Sequence, residues 1–514
     1  MGTSENNKRI AKNALMLYAR MLLLMLIGLY TSRVILNTLG IEDYGIYNVV
    51  GGIVVMFSFL SNSLSTASSR FITYDIGIGD FSKMKKTFGN IVTIHLLLAG
   101  IILILGETIG LWFVLNKLQV PENRMTAALW VYQFSIFSFV LNIISVPYNA
   151  SIIAHERMKA FAYISIMDAI LKLVIIYLLI IIPYDKLITY AILFFCIQLL
   201  DRIIYGIYCV KNFEETKARI SLDKQLFKKI FGFSIWTMNG CLAVAGYTQG
   251  LNILLNMFFG PTVNAARGIA VQVQNIVQNF CNNFLMALNP QITKSYAQNN
   301  LKYMHQLVKV SSKFSFLLLY IISLPLMLEA PLVLKWWLGI VPEHTVDFLR
   351  LILCASMLVT LSRPLVTSVH ATGQIKKFQF IEGSMLLCIV PIAWVLLKFW
   401  NISPEYVFGI HIIIEILTQY ARVIIVLPMI SMKKTDYLKE VVIPILKVLI
   451  ITPILPLLTF NYMDKSVSSF FIVCFISVLS VLLGGYFLGC TKLERSIITN
   501  KILKKIKKGK PDNQ

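Results

Sequence analysis

Apolar stretches of about 20 residues recur from one end of the chain to the other, separated by short polar connections. At 1.5 Å of helix per residue, about 20 residues cross the roughly 30 Å hydrocarbon core of a bilayer. The pattern predicts helical spans near residues 14–36, 45–68, 88–115, 127–153, 161–182, 187–210, 231–258, 264–289, 310–337, 348–370, 378–399, 405–429, 441–461 and 467–489. The expected fold is an all-α integral membrane protein with about 14 transmembrane helices. No polar segment is long enough to make a separate soluble domain. The first span follows Lys8, Arg9 and Lys12 as a signal peptide's apolar region would. It is too long for that role and lacks a small-residue cleavage site, so it reads as a retained helix.

One span departs from the apolar pattern. Val271 to Pro290 is long enough to cross the membrane yet carries a series of side-chain amides. On a helix, Gln272, Asn275, Asn279, Asn282 and Asn289 recur at spacings of three, four, three and seven and fall on one stripe. An unpaired amide in hydrocarbon costs several kcal/mol, so the stripe must meet protein, water or a polar solute. Amides that bind helix to helix are the competing reading.

The chain also repeats itself. Arg70 to Met84 aligns with Pro290 to Met304, placing Ile72, Thr73 and Met84 on Ile292, Thr293 and Met304, an offset of 220. Gly40 and Gly260 pair at the same offset, while Pro147, Ala154, Phe161 and Ile164 pair with Pro364, Ala371, Phe378 and Ile381 at 217. Three matches in one order at nearly one spacing predict a duplicated six-span unit. Six spans per copy start both copies on one side of the membrane, which makes them parallel repeats. The expected organisation is an N-terminal lobe over 1–210, a basic linker over 211–229 and a second lobe over 230–430. Two further helices follow over 431–490, and a basic tail over 491–514. Mapped back by 220, Asn282 falls on Asn62 and Asn289 on Ser69, in a second span rich in serine. Polarity shared by both copies is what helices lining a central cavity require, and it turns the amide stripe from packing toward a cavity wall.

Composition agrees with the pattern: 57% of the 514 residues are hydrophobic and 14% charged. The net charge of +22 raises the thought of nucleic acid, but the excess is spread between spans rather than gathered on one face. Every second connection is basic: Lys83, Lys85 and Lys86; Arg157 and Lys159; Lys211 to Lys229; Lys294, Lys302 and Lys309; Lys376 and Lys377; Lys433, Lys434 and Lys439. Basic loops stay in the cytoplasm, so both termini are expected there. The tail from Lys501 to Lys510 suits contact with anionic lipid. Eight cysteines are scattered singly, with no CxxC pair, and imply neither metal nor disulfide.

Arginines inside spans carry the sharpest chemistry. Arg20 and Arg33 sit in the first span, Arg70 at the end of the second and Arg267 at the start of the eighth. Each is costly at bilayer depth and needs a partner or a wet cavity, although an arginine near a span's end can snorkel to the interface. Acids are few in this half, which leaves an anionic solute as counter-ion, and guanidinium forks suit phosphate. Asp168, Glu382 and Glu415 are candidate ion-coupling carboxylates, with Glu107, Glu329, His95, His370 and His411 behind them. Asp168 and Lys172 stand at i and i+4 and also suit a self-neutralising pair. Pro147, Pro325, Pro364 and Pro391 are candidate bending points. No GxxxxGK[ST], HExxH or GxSxG occurs, and an intramembrane glycosyltransferase or polymerase would need acidic residues on a sizeable external loop. No catalytic residue and no cofactor is expected.

The segments SRVILNTLGIEDYGIYNVV, IGIGDFSKMKKTF, GPTVNAARGIAVQVQ and NPQITKSYAQ resemble the polysaccharide transporters of the multidrug/oligosaccharidyl-lipid/polysaccharide exporter superfamily. More narrowly they are similar to Wzx-type flippases of lipopolysaccharide or O-antigen biosynthesis. The resemblance covers essentially all of the chain and implies two six-helix lobes with alternating access. It also implies movement of an undecaprenyl-pyrophosphate-linked oligosaccharide from the cytoplasmic to the periplasmic leaflet of a bacterial inner membrane. Related lipid II flippases carry cavity arginines in the first, second and eighth helices, where Arg20, Arg70 and Arg267 stand here. The expected partners are the lipid-linked glycan and membrane lipids, with a polysaccharide polymerase and chain-length proteins left open. A multidrug exporter of the same fold is the alternative, and an intramembrane enzyme the second.

Overall fold

A computed structural model describes residues 3–55, 58–116, 121–217, 220–464, 466–492, 494–496 and 499. The first half comprises α1 (Thr3–Val55), α2 (Ser58–Ile78), α3 (Phe81–Asn116), α4 (Glu122–Ala154), α5 (Met158–Ile181) and α6 (Lys186–Asn212). It continues into α7 (Lys224–Ala297), α8 (Leu301–Leu328), α9 (Thr345–Thr372), α10 (Lys376–Trp400), α11 (Pro404–Met429), α12 (Lys434–Tyr462) and α13 (Val467–Gly489). Eleven helices among the described residues are long and apolar enough to cross a membrane. The three remaining predicted spans are also helical, and the last of them is the polar, amide-rich one. They lie in α1 before Gly40, in α1 past Gly40 with α2, and in α7 past Gly260, so the fold is the expected all-α membrane protein. The basic tail from Lys501 lies outside the described residues.

The two kinks inside the long helices α1 and α7 fall at glycine. α1 turns at Gly40 (φ 81°) and α7 at Gly260 (φ 80°), a backbone region closed to most side chains and open to glycine. Pro147, Pro325 and Pro364, expected as bending points, stand inside continuous helices. Only Pro391 lies beside an interruption, at Cys388, three residues before it. The left-handed positions recur with the spacing of the sequence repeat: Gly40 with Gly260, Gly79 with Asn299, and Glu156 with Gly373. Both polar helices run further than hydropathy suggests, to Ile78 and to Ala297, so Arg70 lies within a helix rather than at its end.

The described residues divide into two compact units. The first holds Met1–Ala245 with two short segments, Met286–Asn300 and Gly373–Phe380, and the second holds Gly246–Leu285, Leu301–Thr372 and Ile381–Gln514. In the first unit α4 runs along α6, α2 and α3, and α1 along α5. Leu17, Ile152, Met158 and Cys209 are completely buried in one core, and Val50, Val131 and Leu187 in another. Inside a bilayer apolar contact adds little driving force, and polar bonds add specificity. Tyr132 Oη donates to the Gly106 carbonyl at 2.6 Å. On the side opposite the basic loops, Arg124 reaches Asp43 Oδ1 at 2.8 Å and Asp185 Oδ2 at 2.5 Å, tying three connections together.

In the second unit α9 packs between α8 and α11, and α13 lies along α8. Lys313, 2% exposed, pairs with Glu494 at 2.5 Å, and Lys309 with Glu440 at 2.8 Å. Thr452 donates to Tyr320 Oη at 3.3 Å. These contacts anchor the last two helices on α8.

Candidate functional site

The amide helix has two polar faces. Gln274 Nε2 donates to Ser356 Oγ at 2.7 Å, and Gln278 Nε2 to Thr360 Oγ1 at 3.1 Å, both on α9. Gln272, Asn275, Asn279 and Asn282 are exposed. At about 100° per residue the two sets point about 100° apart around the axis. Helix-binding amides and open amides therefore coexist on α7, separated by angle. The first repeat has the same division: Ser63 Oγ donates to the Ser234 carbonyl at 2.7 Å while Asn62 is exposed.

Arg267 folds back across the Gly260 kink. Its Nη1 donates to Asn252 Oδ1 at 3.1 Å and its Nη2 to the Thr248 carbonyl at 2.8 Å, while Nε is buried and donates to nothing among the described residues. Arg20 stands over the Phe161 ring at 4.3 Å from the centroid, and its buried Nε is likewise unpartnered. An orphaned guanidinium N–H inside a membrane protein is expensive, and an anion is its natural acceptor. Arg70, expected beside them, is 7% exposed and enclosed by Phe71 at 4.5 Å, Tyr74 at 4.6 Å and Phe233 at 5.8 Å. Its guanidinium is closed in by ring faces rather than presented to open space. For Arg33 only the helical backbone lies within the described residues.

The candidate carboxylates are placed differently from one another. Glu382 and Glu415 both belong to Arg422, which donates from Nε to Glu382 at 2.7 Å and from Nη1 to Glu415. A tethered guanidinium already fills the place where a mobile cation was expected. Beside this group His411 faces the Tyr247 ring at 5.1 Å, with Nε2 buried and unpartnered. Asp168 accepts from Lys172 at 2.8 Å, and the Oδ1 atoms of Asp168 and of nearby Asp201 are both buried with no hydrogen-bond partner among the described residues. Tyr205 lies near Asp201 and Arg20. Glu107 accepts from Gln133 at 3.0 Å, and His95 bonds the Ile91 carbonyl of its own helix at 2.7 Å.

Three participants were missed in the sequence. Arg422 follows His411 and Glu415 on one face of α11 by 11 and 7 residues, a spacing that could have revealed it. Asp201 and Arg202 are adjacent charges in an otherwise apolar span, averaged away by hydropathy. Arg202 stands over the Tyr148 ring at 4.1 Å.

Residues 10–296 match a family described as "Polysaccharide biosynthesis protein". The chain belongs to that family. Comparison with curated proteins gives no match. Among solved structures the chain is similar to one titled as the outward-facing conformation of a multidrug resistance MATE family transporter of the MOP superfamily. The two are 15% identical, with a TM-score of 0.71 over 83% of this chain and 96% of that one. A MOP superfamily transporter from Pyrococcus furiosus Vc1 (DSM3638), whose title reports a binding pocket of reversed polarity, gives a TM-score of 0.69 at 14% identity. That match covers 83% of this chain and 96% of the other. A MATE structure in the bent conformation gives 0.68 at 13%, with the same coverage. The family member therefore carries the fold of MOP superfamily transporters and is a multi-pass membrane protein.

Proposed function

We propose that this family member is a flippase that moves an undecaprenyl-pyrophosphate-linked oligosaccharide from the cytoplasmic to the periplasmic leaflet of a bacterial inner membrane, for O-antigen or related surface polysaccharide. It works by alternating access of two repeat-related lobes, with both termini cytoplasmic. The observation that carries the reading is the exposed amide face of α7, matched by exposed Asn62 in the first repeat. Amides both donate and accept, which is what a polyhydroxylated glycan asks of a binding surface. The orphaned Nε groups of Arg20 and Arg267 suit the pyrophosphate, with Arg70 and Arg33 as further candidate cations. Asp201, near Asp168, is the carboxylate best suited to carry a coupling proton or cation, since Arg422 already holds Glu382 and Glu415 and Lys172 holds Asp168. A polysaccharide polymerase and chain-length proteins are the partners such a product would meet.

The test is reconstitution in proteoliposomes, with undecaprenyl-pyrophosphate oligosaccharide as substrate and external glycosidase reading its appearance in the outer leaflet. Arg20→Ala and Arg267→Ala should each slow flipping by roughly 10–100-fold, the loss of a charge-assisted hydrogen bond worth about 1.5–3 kcal/mol. Full flipping in both would sink the pyrophosphate assignment. The MATE-like fold keeps a multidrug exporter as the second reading. Export of cationic dyes without movement of the lipid-linked glycan would select it, and glycan joined or cleaved by the purified protein would select an enzyme.

A further inference from the structure

The first unit takes in two short pieces of the second repeat, Met286–Asn300 and Gly373–Phe380. The first of them ends on Glu156. Lys294 Nζ and Gln291 Nε2 each reach Glu156 Oε1 at 2.7 Å, and Arg9 Nε lies 2.8 Å from Oε2, a contact of charge rather than of hydrogen-bond angle. Asn13 Nδ2 donates to the Glu156 carbonyl at 3.3 Å. The Glu156 side chain is 1% exposed, so one carboxylate held out of water gathers two cations and an amide. Close by, Gly77 lies against the Lys294 backbone and Ala297, where a Cβ would meet the Ala297 methyl at 2.8 Å.

The backbone supplies a second, independent observation. Glu156 closes α4 in the left-handed region (φ 59°), its N–H bonded to the Ile153 carbonyl and the Arg157 N–H to the Ile152 carbonyl. Glycine normally holds that position in such a helix end. At the repeat-related position the second copy does carry glycine: Gly373 (φ 77°) ends α9, and the Arg70 guanidinium lies against it, 2.7 Å from where a Cβ would stand. By the sequence offset the α2 segment around Arg70 answers to the α7 segment around Lys294. The same docking thus occurs twice, once on glycine and once on a glutamate in a backbone region that penalises any side chain. Packing alone does not call for that glutamate, and its ion contacts do.

We propose that Glu156 is a latch holding the Met286–Asn300 segment of the second repeat against the first, and that it opens and re-forms once in each transport cycle. The proposal rests on the alternating-access reading above. Its test reads accessibility and needs no substrate. Ser295, 3% exposed on the latched segment, is replaced by cysteine in the full chain, and inside-out vesicles are treated with a membrane-impermeant maleimide, the chain without Ser295→Cys serving as background. Glu156→Gly keeps the left-handed turn and removes the latch, and should speed labelling at least about tenfold, the small end of what losing one hydrogen bond to a charged group implies. Lys294→Met should act in the same direction. Unchanged labelling in Glu156→Gly overturns the latch. If Glu156→Gly fails to accumulate, Lys294→Met decides, and unchanged labelling there overturns it equally. A parent protein that moves no lipid-linked glycan would defeat the transport reading while leaving the labelling contrast standing.

Discussion

Replacing each polar face of α7 by leucine separates a surface that touches substrate from one that holds helices together. In one variant Gln272, Asn275, Asn279 and Asn282 become leucine; in the other Gln274 and Gln278 do. The second change removes two hydrogen bonds to α9. Such bonds between membrane helices average roughly 0.6 kcal/mol each, so the loss is about 1 kcal/mol. It is not larger, because Ser356 and Thr360 keep their bonds to the Ile352 and Ser356 carbonyls at 2.9 and 2.8 Å, and no hydroxyl is stranded. The first change strikes exposed side chains, so stability should hold within about 0.5 kcal/mol. Transport should not hold: four amides bonding sugar hydroxyls at about 0.5–1.5 kcal/mol each sum to about 2–6 kcal/mol, at least roughly a 30-fold slower flip. Thermal unfolding in detergent and the proteoliposome assay read the two quantities separately. Wild-type flipping by the four-leucine variant, or equal loss of flipping by both variants, would refute the division of faces.

Two further outcomes follow from ion groups away from that face. Arg422→Gln strands Glu382 and Glu415 in the second unit and should lower stability by about 3–5 kcal/mol, while the triple change Arg422→Met, Glu382→Gln and Glu415→Gln should recover most of it. Thermal unfolding checks both, and a triple variant as unstable as the single one would assign the loss to packing. At the opposite side, burial alone would raise the Asp185 carboxyl, but the Arg124 guanidinium and the N–H groups of Ile188 and Leu187 outweigh it and hold the group below 3.8. A carboxylate lowered by folding stabilises fully above its unfolded value and loses that contribution as pH falls through its folded one. The difference in melting temperature between the parent and Arg124→Gln should therefore be complete above about pH 4 and shrink below it. A difference undiminished toward pH 2.5 would make the contact one of shape rather than charge.

The helices were legible because hydrocarbon leaves a chain few alternatives: backbone polar groups must be satisfied within each segment, and apolar length follows bilayer thickness. The polar helices were legible as exceptions, and their repeat partners gave the exceptions meaning. The two faces of α7 were not, since Gln274 and Gln278 differ from Gln272 only in what stands opposite, and α9 lies some 80 residues away in sequence. The glycine kinks went unanticipated for a similar reason. A proline removes one hydrogen bond, which a membrane helix absorbs, whereas Gly40 and Gly260 adopt a backbone angle that a helix cannot contain. Arg422 was hidden because its partner Glu382 stands on another helix 40 residues away, although a buried acid and a buried base are two halves of one solution.

Comparing the two repeats position by position sharpens the functional reading further. Asn62 and Asn282 are polar in both copies and exposed in both, as a surface that meets many similar hydroxyls would need. Where the copies differ, the chemistry is singular. Arg20 answers to Gly240 by the 220 offset, and Gly240 leaves room for Gln379, whose Oε1 stands 2.1 Å from where a Cβ would be. Glu156 answers to Gly373; both have a cation against them, but only the former meets it with a carboxylate. A glycan is a chain of like units, but its carrier has one headgroup, and a cycle has one side from which it loads. Shared amides with unshared ions are what such a cargo asks of a duplicated fold. A dye exporter has no comparable reason to keep an orphaned guanidinium N–H where the other repeat carries glycine.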